Sequence, residues 1–245
     1  ELMLKEKAEI ERILSELSGK IYDNIIAVRN DSNIIWELDF IFAKAKYASE
    51  LNCNCPIVSE NGVIDIIEGK HPLIDGKKVV PSSVYMGREF TSLIITGPNT
   101  GGKTVTLKTV GLLHLMALSG ILIPVRENST ISFFKEIYAD IGDEQSIEQS
   151  LSTFSSHMTN IVHIIDAADK DSLVLFDELG AGTDPTEGAA LAVSILENLR
   201  KRHVEVIATT HYSELKGYAL KTQSVENASV EFDVETLRPT YKLLI

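Results

Sequence analysis

Cysteine is nearly absent from this sequence of 245 residues, which contains only Cys53 and Cys55. The two residues are separated by one position, a spacing that fits neither a disulfide framework nor a four-ligand zinc site. We therefore expect two reduced thiols in a cytosolic protein. A run of about 18 or more apolar residues is also lacking, so we expect no membrane span. The charged, helix-like start at Glu1-Leu2-Met3-Leu4-Lys5-Glu6-Lys7 is unlike a secretion signal.

Positive charge is scarce as well. The chain has 23 lysines and arginines against 35 acidic residues, a net charge of −12. This balance argues against a strongly basic nucleic-acid surface, although a local basic patch is compatible with it. Internal repeats and low-complexity segments are not found. The hydrophobic content of 44% is ordinary for a globular protein, and the length allows one large domain plus an appendage.

A glycine-rich motif is the most informative feature present. The residues Gly97-Pro98-Asn99-Thr100-Gly101-Gly102-Lys103-Thr104 follow an apolar run and precede a helical pattern, Val105 to Leu118. Backbone N–H groups of such a loop cradle phosphate oxygens. Lys103 would reach the β- and γ-phosphates, and the Thr104 hydroxyl would hold Mg²⁺. A chance glycine-rich turn would lack this strand and helix context, so the motif predicts a nucleoside triphosphate site.

Two acids follow a second apolar run. Ser172–Phe176 reads as a buried parallel strand, and Asp177 and Glu178 come directly after it. Asp177 is placed to hold the Mg²⁺ shell. Glu178 is expected to point differently because side chains alternate along a strand, and to deprotonate the attacking water. Two solvated acids at a strand end are common alone, but the phosphate loop favours the functional interpretation.

A histidine follows a third apolar run. Val204-Glu205-Val206-Ile207-Ala208 leads into Thr209-Thr210-His211. His211 would donate a hydrogen bond to the γ-phosphate or to the attacking water. A lone histidine is more often structural than catalytic. The position of His211 after a third strand favours the catalytic role, but this signal is weaker than those for Lys103 and Glu178.

The remaining pattern predicts an α/β fold with a parallel-rich sheet flanked by helices on both faces. Residues 1–60 are expected to form a helical appendage of two amphipathic helices, with Asp31 capping the second, arranged as a helical hairpin or a packed pair. Residues 61–245 are expected to form the main domain, with a small β-subdomain at 61–92. Residues 232–245 are expected to form a β-hairpin around Arg238-Pro239.

A serine-rich helix start lies between the glycine loop and the acids. Gln149-Ser150-Leu151-Ser152-Thr153-Phe154-Ser155-Ser156-His157 offers helix caps and an anion-binding amino end. Such caps are common, so the segment alone is a weak signal. In its position it is similar to the signature helix of ABC-class ATPases, whose serine contacts the γ-phosphate bound by the other subunit.

Together these motifs resemble the MutS family over essentially the whole chain. The resemblance is carried by Thr96–Thr104, Ser152-Thr153-Phe154, Asp177-Glu178-Leu179-Gly180-Ala181-Gly182-Thr183 and Thr209-Thr210-His211-Tyr212. Three further segments resemble the second bacterial paralogue branch (MutS-two), rather than the mismatch-repair branch: Asp140–Gln149, Ser155-Ser156-His157-Met158 and Asp184-Pro185-Thr186-Glu187-Gly188.

The resemblance implies a homodimeric, ABC-type P-loop ATPase core that uses ATP and Mg²⁺ behind a DNA-handling clamp. Lys103, Thr104, Asp177 and Glu178 match the family's phosphate, metal and hydrolysis positions. Asn99 matches a loop residue that contacts phosphate.

Three further positions are implied by the same resemblance. Ser152 matches the signature serine acting across the dimer, and His211 matches the switch histidine. Val79 lies roughly where a family aromatic stacks on adenine, and valine can pack but not stack. Lys70-His71-Pro72 replaces the more usual Arg-His-Pro.

The family is associated with branched or mismatched DNA, with restraint of recombination and with splitting of collided ribosomes, so DNA or ribosomal RNA is an implied partner. A C-terminal nuclease domain is typical of the branch, and nothing of that kind is visible in the sequence. We expect the chain to be a fragment with the base of the family's lever arms at residues 1–60.

Two rival interpretations remain at this stage. One is a nucleotide-gated clamp on DNA or ribosomes in which hydrolysis is incidental. The other is a transporter-coupled ABC ATPase, which the lack of a Leu-Ser-Gly-Gly-Gln signature and the presence of Gly180-Ala181-Gly182-Thr183 disfavour.

Overall fold

The structure is a computed structural model that describes residues 1–142, 150–233 and 238–245. Of residues 99, 150–153, 233 and 238 it describes the backbone alone. The chain divides into two units, Glu1–Ser49 and Glu50–Ile245. In the described ranges, no helix is both long enough and apolar enough to span a membrane.

The first unit consists of α1, Leu2–Tyr22, and most of α2, Ile25–Leu51. Helix α1 continues through Gly19, and neither helix buries a residue. The predicted cap at Asp31 is wrong, because α2 begins at Ile25. Asn24 precedes it and its carbonyl oxygen accepts the Val28 N–H at 3.0 Å. Asparagine is favoured at this position, so the chain breaks at the Asp23-Asn24 pair rather than at Asp31.

The second unit contains ten strands and four helices in the described part of the chain. The strands are β1 Ile57–Ser59, β2 Ile64–Gly69, β3 Ser82–Met86, β4 Ser92–Thr96, β5 Thr130–Ser132, β6 Glu136–Asp140, β7 Ser172–Phe176, β8 Glu205–Thr210, β9 Val225–Asp233 and β10 Arg238–Leu244. The helices are α3 Lys103–Leu118, α4 Ser150–Ala167, α5 Pro185–Lys201 and α6 Glu214–Lys221.

Six strands form the large sheet in the order β10-β9-β4-β8-β7-β6. Every neighbouring pair from β9 to β6 is parallel, and β10 is antiparallel to β9. The predicted parallel-rich α/β sheet is therefore confirmed. Strands β4, β7 and β8 are buried along their whole length, which explains their continuous apolar runs.

The two faces of this sheet are covered by different elements. On one face, Leu93 and Leu173 pack with Leu107 and Leu113 of α3 and with the second sheet. On the other face, residues of β4, β7 and β8 pack against α4, α5 and α6, whose buried members include Ile161, Leu196 and Leu215. Each such fully buried side chain contributes roughly 1.5–3 kcal/mol relative to exposure.

The helix boundaries follow from local chemistry. Helix α5 begins at Pro185 and is capped by the preceding Asp184, whose carboxylate accepts the N–H groups of Thr186 and Glu187. Helix α3 ends where Gly120, at φ +74°, allows the Ile121 N–H to reach the Met116 carbonyl at 3.0 Å.

A second sheet has the order β1-β5-β2-β3. It extends beyond the predicted 61–92 subdomain because β1 precedes that range and β5 comes after α3. β1 and β5 are parallel, with Ile57 opposite Thr130. This sheet covers α3, so it lies on the same side of the large sheet as the helix that follows the glycine-rich loop.

The carboxyl-terminal region differs from the prediction in two ways. β9 and β10 do form an antiparallel pair, but Arg238 and Pro239 lie within β10 rather than at a turn. β9 begins at Val225 and pairs in parallel with β4, so it is part of the main sheet. Proline is tolerated because β10 is an edge strand.

Candidate functional site

The glycine-rich loop connects β4 to α3, as predicted. After Thr96 the chain passes through Gly97 at φ +135°, a short 3₁₀ segment at Asn99–Gly101, and Gly102 at φ +87°. Helix α3 begins at the next residue, so its free N–H groups lie at the carboxyl end of β4. Such an end attracts anions.

The glycines in this loop are required by close neighbours. A Cβ atom on Gly101 would lie 2.4 Å from Cγ2 of Val230, and one on Gly102 would lie 3.0 Å from Cδ1 of Tyr241. The loop backbone therefore runs against β9 and β10. Contacts with the protein itself therefore require glycine at these two positions.

Lys103 is the most deeply buried charged residue of the site, at 1% exposure. Its ammonium group donates to the Gly97 carbonyl at 2.6 Å. Burial lowers the pKa of Lys103, and the carboxylates of Glu178 and Asp177 act in the opposite direction. A buried cation above a glycine-rich turn, close to two acids, is a suitable partner for a multiply charged anion.

Asp177 joins the loop to the sheet. Its Oδ1 atom accepts hydrogen bonds from the Thr104 hydroxyl at 3.1 Å and from the Thr209 hydroxyl at 2.6 Å. The Asp177 N–H donates to the Asp140 carbonyl at 2.9 Å. A threonine hydroxyl beside a carboxylate, with a phosphate loop adjacent, is the donor set that Mg²⁺ takes with a nucleotide. The residues therefore fit the predicted metal.

Glu178 is oriented by a turn and not by strand alternation, which corrects the reason given from sequence. Strand β7 ends at Phe176, and Glu178 has φ +50°, in the left-handed region that non-glycine residues rarely adopt. Its N–H donates to the Thr209 hydroxyl at 2.8 Å, and its carbonyl accepts the Ala181 N–H at 2.9 Å. Backbone strain of this kind is concentrated at functional sites.

A cavity of about 200 Å³ adjoins the loop at Gly102. Val79 and His71, which both lie in the connection between β2 and β3, line this cavity. Thr106 and Thr109 of α3 also line it. Tyr241 of β10 closes another side, and its φ of +62° makes it a second strained non-glycine residue. The lining of the cavity is mainly apolar with a few polar side chains, which is the composition typical of small-molecule sites.

His211 follows β8 directly, so the structure places it at the same sheet edge as Asp177 and Glu178. Its side chain is exposed, and its ring centroid lies 4.2 Å from that of Tyr212. Tyr212 is buried and its hydroxyl donates to the Gly180 carbonyl at 3.0 Å. The His211 ring thus packs against a residue that also contacts the turn after β7, residues 177–181, which we call the acid-bearing turn.

Two predicted site residues are only partly described. Asn99 lies in the 3₁₀ segment and Ser152 lies in the first turn of α4, but their side chains fall outside the described part of the chain. The Asp143–Gln149 portion of the branch-specific motif also lies outside it.

Beyond its first turn, α4 is hydrogen-bonded to Asp140 at the end of β6. The Asp140 carboxylate contacts His157 Nδ1 at 2.8 Å and accepts from the Asn160 amide at 2.8 Å.

Comparison with known proteins identifies the family. The family model described as MutS domain V matches residues 93–243, a range that starts in β4 and ends in β10 and so includes the loop, the acids and His211. The chain belongs to the MutS family.

Relatives of this MutS-family chain are proteins named Endonuclease MutS2. The protein of Clostridium acetobutylicum is 79% identical and that of Clostridium botulinum (strain Okra) is 77% identical. The protein of Clostridium tetani is 76% identical. Each match covers the whole of this chain and 31% of the relative. The predicted resemblance to the second bacterial branch is confirmed, and the chain spans about a third of the length of these MutS relatives.

Sequence reasoning missed two residues of this MutS-family site. Thr209 contacts both acids, and Tyr241 lines the cavity beside Gly102. A signal for Thr209 existed, since it directly follows the apolar residues Val206-Ile207-Ala208 of β8. Tyr241 carried none, because its contribution depends on β9 and β10 returning beside β4.

Proposed function

We propose that this chain is the ATP-hydrolysing core of a dimeric MutS-family protein, with ATP and Mg²⁺ bound at the loop after β4. The contact between the Thr104 hydroxyl and the Asp177 carboxylate, at 3.1 Å, carries this proposal. It brings the loop motif and the acid motif, which are far apart in sequence, to one point at a sheet edge. Ligands of open α/β sheets bind at the carboxyl ends of strands.

Each residue has a role that its position supports. The N–H groups at the start of α3 and the Lys103 ammonium bind the β- and γ-phosphates. Thr104 and Asp177 hold Mg²⁺, which when bound neutralises charge on the phosphate oxygens. Glu178 takes a proton from the attacking water. Val79 and Tyr241 enclose the adenine.

Two further residues complete the proposed reaction. Ser152 of a second copy contacts the γ-phosphate, which requires two chains to enclose each nucleotide. His211 donates a hydrogen bond to the γ-phosphate or to the water. The relatives named Endonuclease MutS2 are about three times longer than this chain. From the resemblance to the MutS family, we propose that hydrolysis in the longer protein drives movement of a clamp on DNA or ribosomes.

Replacement of Glu178 by glutamine tests the proposed hydrolysis. Glu178→Gln keeps the shape but removes the base, so we expect steady-state ATP hydrolysis to fall by about 10²–10⁴-fold. ATP affinity, measured by fluorescence titration, is expected to stay within about threefold of that of the unaltered protein. The Glu178 carboxylate is proposed to act on the attacking water and not to bind ATP in the ground state.

Lys103→Met serves as the contrasting variant and is expected to lose binding itself. Undiminished hydrolysis by Glu178→Gln with ATP bound would refute the assignment of the base. Absence of saturable ATP binding to the unaltered protein would refute the nucleotide site.

A further inference from the structure

Thr209 connects to three consecutive residues of the acid-bearing turn. Its hydroxyl donates to Asp177 Oδ1 at 2.6 Å and accepts the Glu178 N–H at 2.8 Å. Its carbonyl accepts the Leu179 N–H at 3.0 Å. Thr209 is fully buried, so none of these three bonds competes with bulk water. Buried hydrogen bonds to a charged group contribute more than neutral ones.

These contacts begin where the sheet ladder stops. Pairing between β7 and β8 ends at Phe176 opposite Ala208, one residue before Asp177 and Thr209. Beyond that point the chain turns sharply, with Glu178 at φ +50°. A strained conformation persists only when its surroundings hold it. The hydroxyl and carbonyl of Thr209 supply bonds that replace the ladder through this turn.

One oxygen atom serves both acids, so their positions are coupled. A threonine hydroxyl has one proton and two lone pairs. When the proton points at Asp177, a lone pair remains for the Glu178 N–H. Reorienting the hydroxyl away from Asp177 would therefore weaken the bond that fixes the Glu178 backbone.

Asp177 has a second hydrogen-bond partner, Thr104, whose hydroxyl would instead bind the metal in the proposed site. Thr104 donates to the same Oδ1 atom at 3.1 Å, and in the proposed site its hydroxyl turns to Mg²⁺. Thr209 lies in β8, opposite Ile95 of β4, and is not one of the proposed metal ligands. It can hold the carboxylate throughout.

We propose that Thr209 is a positioning residue that sets the Asp177 carboxylate for the metal and the Glu178 backbone for proton transfer. The proposal rests on the ATPase function proposed above. It assigns the alignment of the metal-binding acid Asp177 with the base Glu178 to one side chain, Thr209. Thr209 belongs neither to the glycine-rich loop nor to the motif that contains the two acids.

Two variants and a matched control separate positioning from simple folding. Thr209→Val keeps the shape and removes the hydroxyl, whereas Thr209→Ser keeps the hydroxyl. The control is Ser172→Ala at the other end of β7. Ser172 is also buried, and its hydroxyl likewise donates to a carboxylate, Asp169 Oδ1 at 2.9 Å, and accepts that residue's N–H at 3.1 Å.

We expect Thr209→Val to lower kcat about 10–100-fold, the usual effect of removing a group that orients a metal ligand. KM for ATP is expected to stay within about threefold of that of the unaltered protein, because the proposed contacts to the phosphates and to the adenine are intact. Thr209→Ser is expected to recover kcat to within about threefold of the unaltered protein, and Ser172→Ala to leave kcat unchanged while lowering the melting temperature similarly.

A binding measurement tests the proposal without turnover. Mn²⁺ is titrated into the protein with a non-hydrolysable ATP analogue and followed by electron paramagnetic resonance. Thr209→Val is expected to weaken Mn²⁺ binding about 10-fold, and Thr209→Ser and Ser172→Ala to leave it unchanged.

Equal Mn²⁺ affinity in Thr209→Val and the unaltered protein would overturn the proposal, as would a Thr209→Ser variant as impaired as Thr209→Val. If the unaltered protein binds Mn²⁺ with the analogue but hydrolyses no ATP, the proposed enzymatic function fails. The Mn²⁺ affinities then still decide the role of Thr209.

Discussion

Glu205 carries a carboxyl group into the protein interior at the first residue of β8, at the opposite end of that strand from His211 and the proposed nucleotide site. It is 6% exposed, and its Oε2 atom has no hydrogen-bond partner within the described ranges. Burial raises the pKa of Glu205 to about 8. An ionised carboxylate in such surroundings is costly, so the group stays protonated in the folded protein at neutral pH.

Glu205 therefore predicts a stability that falls as pH rises. The unfolded chain releases this proton near pH 4.5 and the folded protein only near pH 8, so its contribution is fully present below 4.5 and is lost between these values. Glu205→Gln removes the titration and is expected to stabilise the protein by on the order of 3 kcal/mol at pH 8, with little effect at pH 4.5.

Urea denaturation at both pH values measures this difference. Glu136→Gln is the control, because Glu136 also begins a strand but is exposed, and we expect a change within about 0.5 kcal/mol. An equal effect of Glu205→Gln at the two pH values would contradict the assignment.

At the same scale, the sequence motifs predicted which residues meet at the carboxyl edge of the sheet, and their roles stay a prediction. Lys103, Thr104, Asp177 and Glu178 sit next to buried runs, and the sheet edge brings them together as expected. The direction of Glu178 was predicted for the wrong reason, because a left-handed turn is set by contacts with β8. Such contacts between distant segments leave no local pattern in the sequence.

Elements with a strong hydrophobic period were predictable from sequence. The strands β4, β7 and β8 and the helices α3 and α4 lie where the pattern indicated. The short helix α6 was missed, since eight residues offer little periodicity. The start of α2 was missed because Asp31 competes with Asn24 as a cap, and only helix continuity decides between them.

The junction of α5 with the acid-bearing turn gives a prediction at this scale. A Cβ atom on Gly188 would lie 2.4 Å from the Gly180 carbonyl oxygen and 2.7 Å from the Tyr212 hydroxyl. Gly188→Ala forces a backbone to move, so we expect a loss of about 2 kcal/mol in unfolding free energy. Calorimetry or denaturant titration measures it.

Gly217→Ala is the matched control for that substitution. Gly217 also lies inside a helix, α6, and its Cβ would meet nothing within 4 Å. Alanine there is expected to stabilise the protein by roughly 0.5–1 kcal/mol. A Gly188→Ala protein as stable as the Gly217→Ala protein would show that the turn and α5 can separate freely.

At the scale of the whole molecule, the proposed site needs two chains. Lys103→Met disables the loop and Ser152→Ala disables the signature, so each variant alone is expected to be inactive. When the two are co-expressed, a mixed dimer pairs the intact loop of one chain with the intact serine of the other. We expect roughly a quarter of the normal ATPase activity, because half of the dimers are mixed and each has one working site.

The activity of the co-expressed pair is compared with that of each variant at the same total concentration. Restoration that disappears on dilution supports a site shared between chains. Activity of the Ser152→Ala protein equal to that of the unaltered protein would show that each chain completes its own site.

The placement of β4 in the centre of the large sheet has a consequence for folding. Ser92 of this strand lies opposite Val206 of β8 and Val225 of β9, both of which come much later in the chain. During synthesis the emerging glycine-rich loop therefore has no rigid support until β8 and β9 have been made. Pairing of such distant segments is slow, so the proposed nucleotide site forms only after β8 and β9 have joined β4.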